Sequence, residues 1–337
     1  MPKIRHQKTK NKSWFQFALQ LKGSVIFAVY KHVIVLGLFG LFISLLDYLK
    51  VPVSQPILGT IIPSIVLGLL LVFRTNTAYD RFWEGRRLWG SLVNDSRTLA
   101  WQIGVIINDI ETEDRVKKQI AMRLIPILLV AIKAHLRSES NNRELEELMS
   151  ISQSESQCVQ LKTINNKPLQ IIKWIADYIQ QQYQRGNDYL HYSHVQLLQS
   201  NLKSIIDAIG GCERILRTPL PLAYVIHLKQ LVLIYCILLP FQLVRDLGWW
   251  TGLFVALISF TLLGIEGIGV EIENPFGYDA NDLPLDTICN TVKQDIEELI
   301  STNYAIASNI STDIESNVDK AYLEKYSNPK CCTDKGD

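Results

Sequence analysis

Two histidines, His191 and His194, stand three residues apart in the sequence HYSH, a spacing that could place both rings on one face of a helix. Such a pair could bind a transition metal, but no third ligand lies near it in sequence, so surface or packing histidines are the more frequent outcome. The chain carries no GxSxG, no phosphate-binding P-loop and no GxGxxG. These residues therefore predict neither an enzyme nor a confident metal site.

A dense group of arginines and aromatic residues occupies RTNTAYDRFWEGRRLWGSLVNDSR, which starts at Arg74. Arg81 with Glu84, and Glu84 with Arg87, are i, i+3 pairs that favour a helix. The basic side of this helix could attract lipid headgroups or permeating anions, and Arg74, Arg81 and Arg86 would favour anions if they faced a pore. A solvated helix held by its own ion pairs is the commoner arrangement for such a sequence.

Three apolar residues at helical spacing, Ile65, Leu69 and Phe73, precede the arginines. They fall at i, i+4 and i+8 and therefore share one helical face. From periodicity alone, lipid or a partner helix against that face is the more frequent arrangement.

Four apolar segments position these residues: 24–48, 51–73, 230–244 and 247–265. The second contains no charged residue and is long enough for a bilayer core, which requires about 20 residues. Short connections, KVPV and RDLG, join the segments in pairs and predict two membrane hairpins. The N-terminal tail and the stretch after Arg74 are basic, so the positive-inside rule places both termini and the central region in the cytoplasm, with the protein in the inner or plasma membrane.

The rest of the chain reads as helical, because apolar residues recur at helical spacing in 116–136, 169–183 and 195–216. The polar stretch 138–167 predicts a loop with one short helix, and a further helix is expected near 286–308. The predicted fold is all-α, with four transmembrane helices and a large helical cytoplasmic region. Its segments are a basic cytoplasmic tail at 1–23, a first transmembrane hairpin at 24–73, a cytoplasmic helical region at 74–223, a second transmembrane hairpin at 224–270, a cytoplasmic turn with C-terminal helices at 271–326 and a disordered tail at 327–337.

Composition excludes two further classes. The net charge of +1 provides no strong field for nucleic acid. The six cysteines form no CxxC pair, so neither a disulfide framework nor a zinc site is predicted.

Three blocks of the sequence resemble bacterial homologues of the bestrophin family. They are FRTNTAYDRFWEGRRLWGSLVNDSR, RTPLPLAYVIHL and IENPFGYDANDLPLD, and they occur in the family's order. The resemblance extends from about Lys12 to Ser308. It implies a pentameric ion channel with four membrane helices per subunit, an axial pore, permeant monovalent ions and membrane lipids as partners, and self-association as a homopentamer.

The resemblance also implies which residues constrict the pore. The family's neck carries three apolar residues on its second membrane helix, and counting back from Arg81–Phe82–Trp83, which matches the family's Arg-Trp-Trp, assigns them to Ile65, Leu69 and Phe73. A second, cytoplasmic aperture lies before the Pro of Pro221-Leu222-Ala223-Tyr224, which implies Leu220. Thr218 stays open as the alternative, because a shift of two residues is possible.

Calcium binding is not expected. Animal members of the family follow NPFG with a run of acids that clasps calcium, whereas only Asp279 and Asp282 stand at the corresponding positions here. Calcium takes six to eight oxygen ligands, so two residual carboxylates predict weak or no calcium gating and no other cofactor.

The sign of the permeant ion is open in the sequence. Apolar rings discriminate poorly by charge, and Glu266 and Glu271 would matter only if they faced the pore. The family's general label favours chloride-type anions, and a sodium-selective channel of the same fold is the alternative. A transporter or scaffold without a pore is a second alternative, although no inverted repeat is evident. A membrane-bound enzyme is a third, and the chain lacks the paired catalytic groups it would need.

Overall fold

The computed structural model describes residues 20, 23–55, 61–139, 142–152 and 155–302, and every regular element in these ranges is a helix. The chain divides into two compact units. The first comprises Met1–Gly90 with Gly210–Pro284, and the second comprises Ser91–Ile209 with Leu285–Asp337. Predictions for the tail at 1–22 other than Gln20, for residues 303–326 and for the tail at 327–337 lie outside the described residues.

The first unit is built from long apolar helices. In chain order they are α1 (Ile26–Tyr48), the first part of α2 (Ile61–Ile106), the end of α7 (Tyr192–Arg217), α8 (Leu222–Leu247), a single 3₁₀ turn (Gly248–Trp250) and α9 (Thr251–Glu273). Leu67 and Leu71 of α2 pack with Leu228, Val232 and Val255 into one buried cluster that joins α2, α8 and α9. This cluster fixes which face of α2 is covered.

Small residues let α1 and α9 approach closely, and these two described helices pack extensively against each other. A Cβ atom at Gly252 would lie 2.5 Å from Leu41 Cγ and 2.9 Å from the carbonyl oxygen of Gly37. A Cβ at Gly40 would lie 3.0 Å from the Cα of Gly252. Close approach through small residues is the usual way in which membrane helices associate, because lipid offers no hydrophobic drive for their contact.

The second unit has an apolar core. It contains the end of α2, then α3 (Thr112–Leu136), α4 (Arg143–Ser152), α5 (Glu155–Thr163), α6 (Lys167–Gln184), most of α7, and α10, which is helical from 285 to 302. A capping box starts α3, since Glu111 and Asp114 bind each other's backbone N–H groups. The polar stretch at 138–167 thus forms two short helices in its described part, not one, because Asn142 and the residues after it supply an N-terminal cap that the polar composition hid.

An ion cluster lies inside this unit. The buried Lys133 Nζ donates to Glu144 and to Asp286 Oδ1, the latter at 2.7 Å, and Arg137 Nη1 is 3.2 Å from Asp286 Oδ2. Burial lowers the pKa of Lys133, but the hydrogen bonds to the two carboxylates outweigh it, so its pKa is raised. Burial likewise raises the pKa of Asp286, yet the bond from Lys133 and the charge of Arg137 leave it lowered.

Three stretches of the described residues are long and apolar enough to cross a membrane: α1, α3 and Leu222–Glu273, which contains both α8 and α9. The predicted span at 51–73 is not among them: residues 56–60 lie outside the described residues, and its part from Ile61 forms the start of α2. Most of the apolar window of α3 is buried within its own unit, as expected for a core helix. The all-helical fold is therefore observed, and the number of four membrane helices remains a prediction.

Candidate pore-lining face and the groups behind it

One face of α2 is covered and the opposite face is bare. Leu67, Leu71, Arg74 and Ala78 are buried, and they recur at helical spacing. The three residues of the predicted neck lie on the other side, where the described part of the chain leaves them largely uncovered: Ile65 is 62% exposed, Leu69 53% and Phe73 55%. Gly68, beside them, has no heavy atom of another described residue within 4 Å of a Cβ position.

The same three residue types form a second bare face on α1. Ile34, Leu38 and Phe42 have the same i, i+4, i+8 spacing and are 55%, 60% and 53% exposed. The type, spacing and exposure of these residues thus do not distinguish the α1 face from the α2 face. What separates them is the continuation of each face along its helix.

The α2 face becomes polar beyond Phe73. Each residue turns a helix by about 100°, so Asn76, Asp80, Trp83 and Arg87 continue the side that carries Leu69, and all four are exposed.

The α1 face stays apolar over most of its length. Exposed apolar residues extend it on both sides of the Ile34–Phe42 stripe: Phe27, Leu45 and Leu49. Lys31 is the single charged residue on this side, and its alkyl stem is long enough to carry the ammonium group toward an interface. The apolar character resumes beyond it at Phe27.

The arginines near the α2 face have different environments. Arg74 is 1% exposed and its Nη2 donates to Glu273 Oε2 at 2.6 Å, so it does not face the bare side of α2. Arg81 is half-buried, and it donates through Nη2 to the Ile215 carbonyl at 2.6 Å and through Nη1 to the Thr218 carbonyl at 2.5 Å. Arg86 is exposed, about 100° around the helix from Arg87.

The segment before α8 lies against the same network. The Leu220 side chain is half-buried and its N–H donates to Glu273 Oε1 at 3.2 Å. Thr218 is exposed, but its hydroxyl donates to the carbonyl of Arg214 at 2.5 Å. Tyr224, which ends the Pro-Leu-Ala-Tyr motif, donates its hydroxyl proton to the Leu70 carbonyl at 3.1 Å. The residues assigned to the neck and the aperture are thus brought together in one unit through α2.

The NPFG turn directs one of its two acids, Asp282, toward its own backbone, whereas Asp279 is exposed. The backbone N–H of Asp279 donates to Asp282 Oδ2 at 2.7 Å, and that oxygen is also 2.7 Å from a Cβ position at Gly277. One of the two carboxylates is therefore used to hold its own turn. Across the described residues, no group of three or more His, Cys, Asp or Glu side chains could hold a metal ion. Weak or no calcium gating by this turn stays a prediction.

Among the described residues, His191 and His194 likewise have no third metal ligand beside them. The rings of His191 and His194 are 6.2 Å apart, and His191 Nδ1 is 2.9 Å from the Ser193 hydroxyl.

Sequence reasoning singled out Glu266 and Glu271 but missed Glu273. Glu266 Oε1 lies 3.5 Å from Lys229 Nζ, and Glu271 accepts from Asn281 at 3.0 Å. Glu273 instead binds the two segments that carry the predicted constrictions. The available signal was its position, the last residue of the final apolar helix directly before NPFG.

Comparisons with known proteins agree in family. The family model described as bacterial/fungal bestrophin protein matches residues 4–298. A voltage-dependent anion channel-forming protein of Nostoc sp. is 58% identical over 88% of this chain and 95% of its own length, and one of Synechocystis sp. is 45% identical over 88% and 94%. The crystal structure of a bacterial bestrophin homologue from Klebsiella pneumoniae superposes with a TM-score of 0.71 at 26% identity, covering 81% of this chain and 98% of that one. The chain therefore belongs to the bacterial and fungal bestrophin family, whose members are ion channels and not enzymes.

Proposed function

We propose that this chain forms a homopentameric channel in the inner or plasma membrane that passes monovalent, chloride-type anions through an axial pore. Its membrane helices are α1, the first part of α2, α8 and α9, with both termini in the cytoplasm. The close relatives from Nostoc and Synechocystis carry the name anion channel-forming protein, and each aligns over nearly its whole length. This similarity supports the activity.

The single observation that carries the pore assignment is the continuation of the bare α2 face into polar and charged residues. The α1 face ends with its helix, whereas α2 continues past Phe73 into the region assigned to the cytoplasm, so that its bare face runs on along the path that ions would follow. The α2 face passes from its three apolar residues to Asp80 and Arg87 without a change of side. Such a face suits a water-filled path that narrows at its apolar part.

The mechanism follows from stacked apolar rings. Five copies of Ile65, Leu69 and Phe73 around one axis would form three uncharged rings, and a narrow apolar constriction closes to ions by losing its water. The pore conducts when the α2 helices move apart and water fills the neck. Leu220 would form the second constriction, with Thr218 as the alternative lining residue.

Charge near the neck determines which ion concentrates there. The rings themselves carry no charge, and Arg74 is neutralised by Glu273. The exposed charged groups on the proposed pore face are Asp80 and Arg87, of opposite sign. Arg87 favours the anion channel, whereas Asp80 is the specific observation that favours a sodium channel of the same fold.

A planar-bilayer recording of the purified protein under asymmetric NaCl tests the proposal. We expect single-channel currents whose reversal potential follows the chloride gradient. A reversal potential that follows the sodium gradient would show that the permeant ion is a cation. A folded, membrane-inserted protein that carries no current would instead favour a transporter or scaffold.

A further inference from the structure

Glu273 holds two segments with one carboxylate. Its Oε2 accepts from Arg74 Nη2 at 2.6 Å, and its Oε1 accepts from the backbone N–H of Leu220 at 3.2 Å. Arg74 follows Phe73 directly on α2, and Leu220 is the assigned aperture residue. The two oxygens of one side chain therefore contact the residue that follows the neck on α2 and the backbone of the aperture residue.

The backbone of the same residue anchors a third group. The carbonyl of Glu273 accepts from Arg81 Nε at 3.2 Å, and the two terminal nitrogens of Arg81 bind the carbonyls of Ile215 and Thr218. Arg81 lies two helical turns after Arg74. The cytoplasmic end of α9 is thus tied to α2 at two points and to the segment before α8 at one.

The bond to Arg74 is hard to replace. The guanidinium is 1% exposed, and its Nε and Nη1 have no hydrogen-bond partner among the described residues. A buried charge without a counter-ion is strongly unfavourable, so Arg74 must follow the carboxylate of Glu273 or lose the ion pair that neutralises it in the described chain. A displacement of α2 beside Phe73 is therefore transmitted to Glu273.

We propose that Glu273 is a positioning residue that couples the neck at Ile65, Leu69 and Phe73 to the aperture at Leu220, so that the two constrictions open together. This inference rests on the proposed channel function and on its two constrictions. It assigns no contact with the permeant ion to Glu273, because the carboxylate is occupied by its two protein partners.

Coupling predicts that changes at the two constrictions are not independent. In a double-mutant cycle, open probability is measured in planar bilayers for Leu69→Ala, Leu220→Ala and the pair, first in the native background and then with Glu273→Gln. Coupling between sites is typically about 5- to 150-fold. We expect the paired variant to depart from the product of the single effects by at least about 5-fold in the native background, and to obey the product with Glu273→Gln.

Glu271→Gln is the matched control. Glu271 lies two residues earlier on α9, and its carboxylate accepts from Asn281 in the NPFG turn. With Glu271→Gln, the effect of the paired variant on open probability should still depart from the product of the two single effects. The proposal is overturned if the product rule already holds in the native channel, or if the departure survives Glu273→Gln.

A second variant covers the case in which Glu273→Gln leaves the charge of Arg74 unpaired and prevents assembly. The double replacement Arg74→Met with Glu273→Gln removes both charges together and breaks the side-chain link to α2, leaving only the bond from Arg81 to the Glu273 carbonyl, so it should also restore the product rule. A failure of the constriction assignments is recognised separately, because Leu69→Ala and Leu220→Ala would then each leave the native current unchanged. That result overturns the coupling as well.

Discussion

Gly85 of α2 lies directly against Pro275 of the NPFG turn: a Cβ atom at Gly85 would stand 2.7 Å from Pro275 Cγ and 3.1 Å from Phe276 Cζ. One helical turn further on, the Trp89 and Phe276 rings pack with centroids 6.4 Å apart, and both side chains are buried. Two of the sequence blocks that carry the family resemblance therefore meet in space, and the glycine makes that contact possible.

Replacing Gly85 by Ala should destabilise the protein by about 1–3 kcal/mol, because the added methyl group overlaps a proline ring that cannot rotate away. Thermal unfolding of the purified channel measures the effect. Gly90→Ala on the same helix is the control, since its Cβ would meet only Arg86 Nη1 at 3.5 Å among the described residues. An equal loss of stability in both variants would contradict the steric explanation.

The two matched stripes provide a direct test of the neck. The triple replacement of Ile65, Leu69 and Phe73 by Ala should widen the apolar rings, admit water and give a channel that conducts without gating. The same triple replacement at Ile34, Leu38 and Phe42 removes identical side chains from α1 and should leave gating unchanged. Single-channel recordings compare the two. If gating were lost only in the α1 variant, α1 and not α2 would line the neck, and the assignment would be wrong.

Two charges on the proposed pore face should shift ion selectivity in opposite directions. Arg87→Gln removes a positive group and should lower the ratio of chloride to sodium permeability, whereas Asp80→Asn should raise it, because charges beside a pore concentrate counter-ions. The double replacement Arg74→Met with Glu273→Gln serves as a comparison, since it removes a buried charge together with its partner. Reversal potentials under asymmetric NaCl measure all three. Parallel shifts in both exposed variants would exclude this face from the ion path.

The ion cluster of the second unit predicts a dependence of stability on pH. The pKa of Asp286 is lowered in the folded protein, so its contribution is present above the pKa of the unfolded chain and is lost as pH falls through the folded value. The pKa of Lys133 is raised, so its contribution is lost only as pH rises through its folded value in strong base. Both contributions are therefore complete at neutral pH.

Asp286→Asn should accordingly lower the free energy of unfolding by about 1 kcal/mol at neutral pH, because the Asp286 side chain is 60% exposed and water screens its ion pairs. In the same variant, part of the acid-induced decrease in the free energy of unfolding should disappear. Lys133→Met, which removes the buried ammonium and leaves the half-exposed carboxylates to water, should cost less. Thermal unfolding from about pH 3 to pH 8 measures both variants. A steeper acid limb in Asp286→Asn than in the native protein would refute the assignment.

Much of the fold could be read from the sequence because burial follows periodicity. The stretches 116–136, 169–183 and 195–216 correspond to α3, α6 and α7. The third and fourth apolar segments form longer helices than their uncharged cores suggest, since α8 starts at Leu222 and α9 ends at Glu273. Lys229 and Glu266 are accommodated inside those helices as an ion pair, which a count of uncharged residues does not detect.

The candidate site was predicted only in part. Periodicity could not choose between the stripes on α1 and α2, and only the family resemblance assigned Ile65, Leu69 and Phe73. The sequence also suggested that Arg74 could face permeating anions, whereas it lies in the interior with Glu273. That pairing depends on a contact between residues far apart in the chain, which no local pattern encodes.

The interlocked glycines of α1 and α9 have a consequence for the surrounding bilayer. There is no room for a Cβ at Gly252 beside α1, so we expect the two helices to change their tilt together, and the far end of α9 is Glu273. A membrane helix adjusts its tilt to the local hydrocarbon thickness. Reconstitution in phosphatidylcholines of increasing acyl length should therefore change the open probability of the channel. This dependence on lipid chain length should disappear with Glu273→Gln, because the lipid acts on the pore from a distance through that residue.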